Sequence, residues 1–291
     1  MIAKTKIFLD MIKFEHTVFA LPFAYVGALL AGLIQVNSLP TITQTIWITL
    51  AMIGARTAAM ALNRLIDKTI DLKNPRTSMR ALPAKLISHR TVILFIVGSL
   101  ILLMFAAAQL HPLCLMLSPV ALFFLITYSY TKRFTWLCHY YLGITIALAP
   151  LGGWIALSGA APWQAYLLFG AVALWIAGFD IFYACQDADF DRKEGLFSIP
   201  SRFGIETSFW FARITHGVAF LCLLLLYFFS PLSWIYLIGL MISAVLLIYE
   251  HLIIKPNDLS KLNQAFFMMN GLLSVTVFVC TLLDVVILYE F

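Results

Sequence analysis

Apolar stretches of about 20 residues, repeated along the chain, constrain this sequence more than any other feature. Each can cross the roughly 30 Å hydrocarbon core of a bilayer as a helix. Within lipid, only a helix or a closed barrel satisfies its own backbone polar groups. The runs, and the polar breaks between them, predict nine spanning helices over 17–36, 43–66, 91–109, 112–130, 137–158, 163–187, 208–229, 232–254 and 266–288. Composition agrees: 62% of the 291 residues are hydrophobic and 11% are charged, against about 25% charged in a soluble domain. The expectation is an all-α polytopic membrane protein, a single domain over 1–291.

The opening MIAKTKIFLDMIKFEHTVFALPFAYVGALLAG pairs a basic start with an apolar run, without a small-residue cleavage site after a short core. It is read as a retained first helix, not a signal peptide. The breaks VNSLPTITQ, QLHP, SGAAPWQ and SPLS carry no Lys or Arg. Basic residues gather in the N-terminus and in the four remaining breaks or beside them. That alternation puts the N-terminus and all charged loops in the cytoplasm, in a multi-pass cell (inner) membrane protein whose C-terminus lies outside. The net charge of +5 is thus a topology signal, and no nucleic-acid partner is expected. Cys114, Cys138, Cys185, Cys222 and Cys280 lie singly in or beside apolar segments, as packing thiols do. The longest charged loops, after the second and sixth helices, begin with clustered Asp residues about 120 positions apart. This spacing predicts two four-helix units and a final helix, with cytoplasmic cap loops.

Within NRLIDKTID, Asn63, Asp67 and Asp71 recur every four residues and so share one helical face. Asp180, Tyr183, Asp187 and Asp191 repeat the pattern, with Gln186 adjacent and Asp189 pointing elsewhere. Taken alone, the first set also reads as a solvated helix end paired with Lys68 and Lys73. Two such clusters on one membrane face repel each other unless cations lie between them. Oxygen-only ligands select a hard cation, and Mg2+ binds one or two carboxylates together with water and substrate phosphate. Arg64, Lys68, Lys73, Arg76, Arg80, Lys132, Arg133, Arg192, Lys193 and Arg202 occupy the same loops and fit a phosphate-bearing substrate.

Arg56 precedes Asn63 by seven residues, and Asp180 precedes Asp187 by seven, so both lie about 10 Å deeper. Ionisable groups inside a span are costly and mark function by default. Two readings stand: a neutralising Arg56–Asp180 pair, or Arg56 binding an anionic substrate group while Asp180 orients or deprotonates a polar one.

At these residues the sequence resembles the UbiA superfamily of intramembrane aromatic prenyltransferases. RTAAMALNRLIDKTID supplies Arg56, Asn63, Asp67 and Asp71 of the first family motif, NDxxDxxxD with an upstream Arg. YACQDADFD supplies Tyr183, Gln186, Asp187 and Asp191 of the second, DxxxD. NPRTSMRALPA and YSYTKRFTW resemble the family's Arg loop and Tyr/Lys loop. Arg64 departs from the motif by replacing an Asp, removing one possible metal-shell carboxylate and adding a possible phosphate ligand. KFEHTVFALPFA also departs from the Asp-Arg-Pro pattern of proteobacterial 4-hydroxybenzoate enzymes, resembling instead a branch linked in part to menaquinone made through futalosine.

The resemblance implies nine helices and two Mg2+ ions on Asn63, Asp67, Asp71, Asp187 and Asp191, holding a polyprenyl diphosphate. Lys68, Arg76, Arg80, Lys132 and Arg133 would share the diphosphate charge. Asp180 or Tyr183 would steady the acceptor's phenol, and Arg56 its carboxylate or the diphosphate. The implied reaction is Mg2+-dependent prenylation of a 4-hydroxybenzoate-type aromatic acid in quinone biosynthesis. Alternatives are 1,4-dihydroxy-6-naphthoate as acceptor or, in another class, a secondary transporter. Partners are the two substrates and membrane lipid; donor chain length and oligomeric state are not encoded in these patterns.

Overall fold

The computed structural model describes residues 2–12 and 17–288, with side chains except at 2–6, 17–19, 263–267 and 288. Lys13–His16, part of the divergent KFEHTVFALPFA opening, lie outside the described residues. The helices are α1 (Ile2–Met11), α2 (Thr17–Ala31), α3 (Ile42–Ile66), α4 (Lys68–Lys73), α5 (His89–Ala108), α6 (Pro112–Thr127) and α7 (Cys138–Ser158). They continue as α8 (Trp163–Ala184), α9 (Ala188–Lys193), α10 (Ile199–Phe203), α11 (Ile205–Phe228), α12 (Trp234–Ile253) and α13 (Leu262–Leu288).

Among the described residues eight helices are long and apolar enough to cross a membrane. The predicted first span is a shorter apolar helix, Ala20–Val36, in which α2 ends in a π-turn over Gly32–Val36. Local chemistry fixes several starts. Thr41 and Gln44 cap α3 reciprocally, Ser88 accepts the Thr91 N–H at the start of α5, and Pro112 opens α6. Inside α6, Pro119 cannot donate to the Leu115 carbonyl, and the Ser118 hydroxyl takes that role at 2.7 Å.

The spanning helices do not pack evenly. α13 lies against α12 and α2, α2 against α7, α7 against α8, and α8 against α11. Trp154, Phe23, Leu168 and Tyr236 fill the core of this arc. Lipid tails are as apolar as these side chains, so close packing rather than water exclusion holds helices together here. A methyl group at Gly153 would overlap the Ala24 carbonyl, and one at Gly27 the Pro150 carbonyl. α2 and α7 therefore meet backbone to backbone. α3 packs on α5, while α6 touches α3, α5 and α7 only lightly. The two motif helices each pack on the next spanning helix, as the predicted repeat requires. The match fails one step earlier, because α7 packs closely on α8 whereas α2 barely meets α3. α1 and the turn after it pack Phe8, Met11 and Ile12 against Ala61, Leu82 and Ile87 at the charged-loop end of α3.

Candidate active site

Both acid-bearing helices break at the same motif position. Asp67 (φ −89°, ψ 3°) separates α3 from α4, and Asp187 (φ −107°, ψ 5°) closes a 3-10 turn between α8 and α9. Both residues lie in the sparsely populated bridge region. The first predicted polar stripe survives its break, because the Asp67 N–H reaches the Asn63 carbonyl at 2.9 Å and the Asp71 N–H the Asp67 carbonyl at 2.8 Å.

Two loops interleave arginines with these acids. Arg133, from the turn after α6, donates to Asp67 at 2.8 Å. Arg80, from the loop after α4, donates to Asp71 at 2.7 Å. Arg76 grips Asp187, donating from Nε to Oδ1 at 2.9 Å and from Nη2 to Oδ2. It also donates to the Tyr183 hydroxyl at 3.1 Å and lies over that ring. Burial works against the Arg76 charge, yet Asp187 and Tyr183 hold the guanidinium above the usual arginine range. Asn74 ties the two motifs together by donating to Asp187 at 2.9 Å, while its own carbonyl accepts the Arg76 N–H.

Arg64, in the motif position that departs from the family pattern, is buried with Nη1 3.9 Å from Asp71. Lys132 acts electrostatically on Asp187 and Asp191. Asp191 is buried and hydrogen-bonded to Ser198. Lys68 begins α4, half-buried, and joins none of these ion pairs. Lys73 pairs with Glu194, Arg192 with Asp189, and Arg202 stacks on Trp136. Those three basic residues therefore stand apart from the acids.

Among the described residues no three His, Cys, Asp or Glu side chains cluster as a ready metal centre; arginines separate the acids instead. The available atoms are nonetheless all hard oxygens. Asp71 Oδ2 is buried without a hydrogen-bond donor. Asn63 commits its amide nitrogen to Asp67 and Ser129, which leaves its carbonyl oxygen for a cation. This set fits Mg2+.

Along α3 from the acids lies a cavity of about 430 Å³, walled by α3, α5, α6 and α7 and including Arg56 and Tyr128. It follows α7 from Leu142 to Ile155, about 20 Å. Its other lining residues are almost all apolar, among them Ala55, Leu103, Ala121 and Ile146.

The neutralising Arg56–Asp180 pair is not formed. Asp180 Oδ2 is bound at 2.7 Å by Nδ1 of His139, because α7 packs directly on α8 at Gly143 and Ala173, whereas Arg56 faces the cavity. His139 carries no motif-level signal of its own, and Asn74 opens the NPRTSMRALPA stretch without standing out in it. His139 is a lone histidine in an apolar run, and Asn74 stands only in the loop that follows the first motif.

The UbiA prenyltransferase family matches residues 20–272. The 4-hydroxybenzoate octaprenyltransferase of Xylella fastidiosa (strain M23) is 30% identical over 237 residues, 81% of this chain and 76% of that protein. Its namesake in Aliivibrio fischeri (strain MJ11) is 30% identical over 217 residues, 75% of each. The apo structure of a UbiA homologue from Aeropyrum pernix K1 is similar with a TM-score of 0.84 at 31% identity, covering 93% of this chain and 98% of that one. A UbiA homologue from Archaeoglobus fulgidus, bound to GPP and Mg2+, shares the fold with a TM-score of 0.70 at 21% identity, covering 94% and 99%. With two acid motifs at one end of a helical bundle and an apolar cavity beside them, this chain belongs to the UbiA prenyltransferase family and is an integral membrane prenyltransferase.

Proposed function

We propose that the enzyme transfers a polyprenyl group from its diphosphate to an aromatic acid of the 4-hydroxybenzoate type, in quinone biosynthesis, with Mg2+ as cofactor. The observation that carries this reading is the set of motif acids interleaved with Arg76, Arg80 and Arg133, beside an apolar cavity whose wall includes Arg56. The names of the curated relatives support the donor and acceptor classes. The charged loops face the cytoplasm at the inner membrane, where water-soluble acceptors and metal are at hand.

Asn63, Asp67, Asp71, Asp187 and Asp191 would hold Mg2+, which when bound would supply positive charge to the leaving diphosphate. Arg76, Arg80 and Arg133 let go of their carboxylates and, with Lys68 and Lys132, share that charge. The carbon–oxygen bond of the donor breaks with its electron pair on the diphosphate. The ring carbon beside the acceptor hydroxyl supplies the pair for the new carbon–carbon bond, and loss of the ring proton restores aromaticity. Arg56 holds the acceptor carboxylate, Asp180 accepts from its hydroxyl, and Tyr183 lies alongside. The cavity takes the tail and excludes water from the electrophilic carbon.

The test uses purified protein in nanodiscs with a polyprenyl diphosphate and either 4-hydroxybenzoate or 1,4-dihydroxy-6-naphthoate, with Mg2+ or EDTA. Prenylated product found by mass spectrometry and lost in EDTA supports the reading, and the productive acid names the acceptor. No product from either acid in folded protein overturns it.

A further inference from the structure

Asp180 is held by a side chain that the reaction scheme does not mention. His139 is 2% exposed and both its ring nitrogens are engaged. Nε2 accepts the Ile199 N–H at 3.2 Å, so that nitrogen carries no proton and the ring is neutral. Nδ1 is therefore the donor to Asp180 Oδ2, at 2.7 Å. A neutral imidazole locked at both ends fixes the carboxylate without cancelling its charge.

Ile199 is the first residue of α10, on the segment that follows the second motif. That segment is pinned at several points. The Phe197 N–H reaches the Lys132 carbonyl at 2.7 Å. Cys138 Sγ donates to the Phe197 carbonyl at 3.5 Å. Ser198 and Ser201 cap α10 reciprocally, and Ile199 is fully buried against Ile181 and Phe209. Through His139, the loop that follows Asp191 and the turn that carries Lys132 are linked to the orientation of Asp180.

We propose that His139 is a positioning residue for the acceptor: it aims Asp180 at the acceptor hydroxyl and holds it in register with the second-motif loop. The proposal rests on the reading of Asp180 given above. A carboxylate aimed in this way accepts from a hydroxyl and repels an acid group, so the acceptor's phenol end turns toward Asp180. The effect belongs to acceptor binding and not to the donor.

The experiment compares His139→Leu, His139→Asn and Asp180→Leu in nanodiscs, with the aromatic acid that turns over in the wild type. Leu removes both hydrogen bonds, while the Asn amide can restore the donor at the Nδ1 position. The expected result is an acceptor KM at least about ten-fold higher in His139→Leu, unchanged KM for the diphosphate donor and for Mg2+, and substantial recovery in His139→Asn. Equal losses for both substrates, or an unchanged acceptor KM in folded His139→Leu, overturn the proposal. If Leu prevents folding, His139→Gln replaces it, since its longer amide reaches Ile199 in place of Asp180. An unchanged acceptor KM in Asp180→Leu overturns the underlying reading of Asp180, whatever His139 does.

Discussion

Arg76 and Asp187, 111 residues apart in sequence, are joined fork to fork across the two acid motifs. The guanidinium is planar and its two donors meet two carboxylate oxygens, a geometry that a lysine ammonium cannot reproduce. Arg76→Lys should keep the charge and lower kcat/KM for the polyprenyl diphosphate by about ten-fold or more. Steady-state kinetics at fixed acceptor concentration check this, and a near-normal value would remove Arg76 from the donor site.

Asp67 and Asp187 occupy the two equivalent helix breaks and, in the proposed reading, would offer oxygen donors to Mg2+. Asp67→Ala and Asp187→Ala should each lower turnover by at least about a hundred-fold, in protein that still elutes as a folded species. Mn2+ binding followed by electron paramagnetic resonance should weaken in parallel. Retained activity in either variant would sink the metal assignment.

Arg56→Ala should raise the acceptor KM by about ten-fold or more, the cost of losing a charged hydrogen bond, and leave metal binding intact. Titration of the aromatic acid against the purified variant reads this directly. Unchanged acceptor affinity would leave Arg56 as a wall residue only.

The spans and the motif acids were legible in the sequence because both signals are local: apolar runs of a given length, and carboxylates repeating every turn. Arg64, though flagged as a departure, gave no hint that it would be buried against Asp71. The contacts that shape the site were not legible. Asn74 reaches Asp187 from another loop, and His139 reaches Asp180 only because α7 and α8 cross closely. Arg56 and Asp180 do not pair for the same reason, since equal depth on two helices does not make them neighbours.

Ala121 lies in the cavity wall on α6. Ala121→Phe should shift preference toward shorter donors, because the added ring takes space that the tail would fill. Competition between geranyl and longer diphosphates, scored by product mass, tests this. An unchanged product ratio would place the tail elsewhere.

Gly153→Ala should destabilise the protein by about 1–3 kcal/mol, the usual cost of overpacking, because the added methyl meets the rigid backbone at Ala24. A thermal melt in detergent at fixed protein-to-lipid ratio reads the loss. An unaltered midpoint would mean that α2 and α7 separate easily.

That close contact divides the molecule unequally. α2, α7 and α8 are fastened backbone to backbone, while α6 is lightly held against its neighbours and lines part of the apolar cavity. Sequence change on α6 disturbs few contacts, whereas change along the fastened helices shifts Asp180 and its partner on α7. Under the proposed reading, tail length would then be set on the loosely held helix and acceptor choice on the fastened ones, so substitutions could alter the first while leaving the second in place.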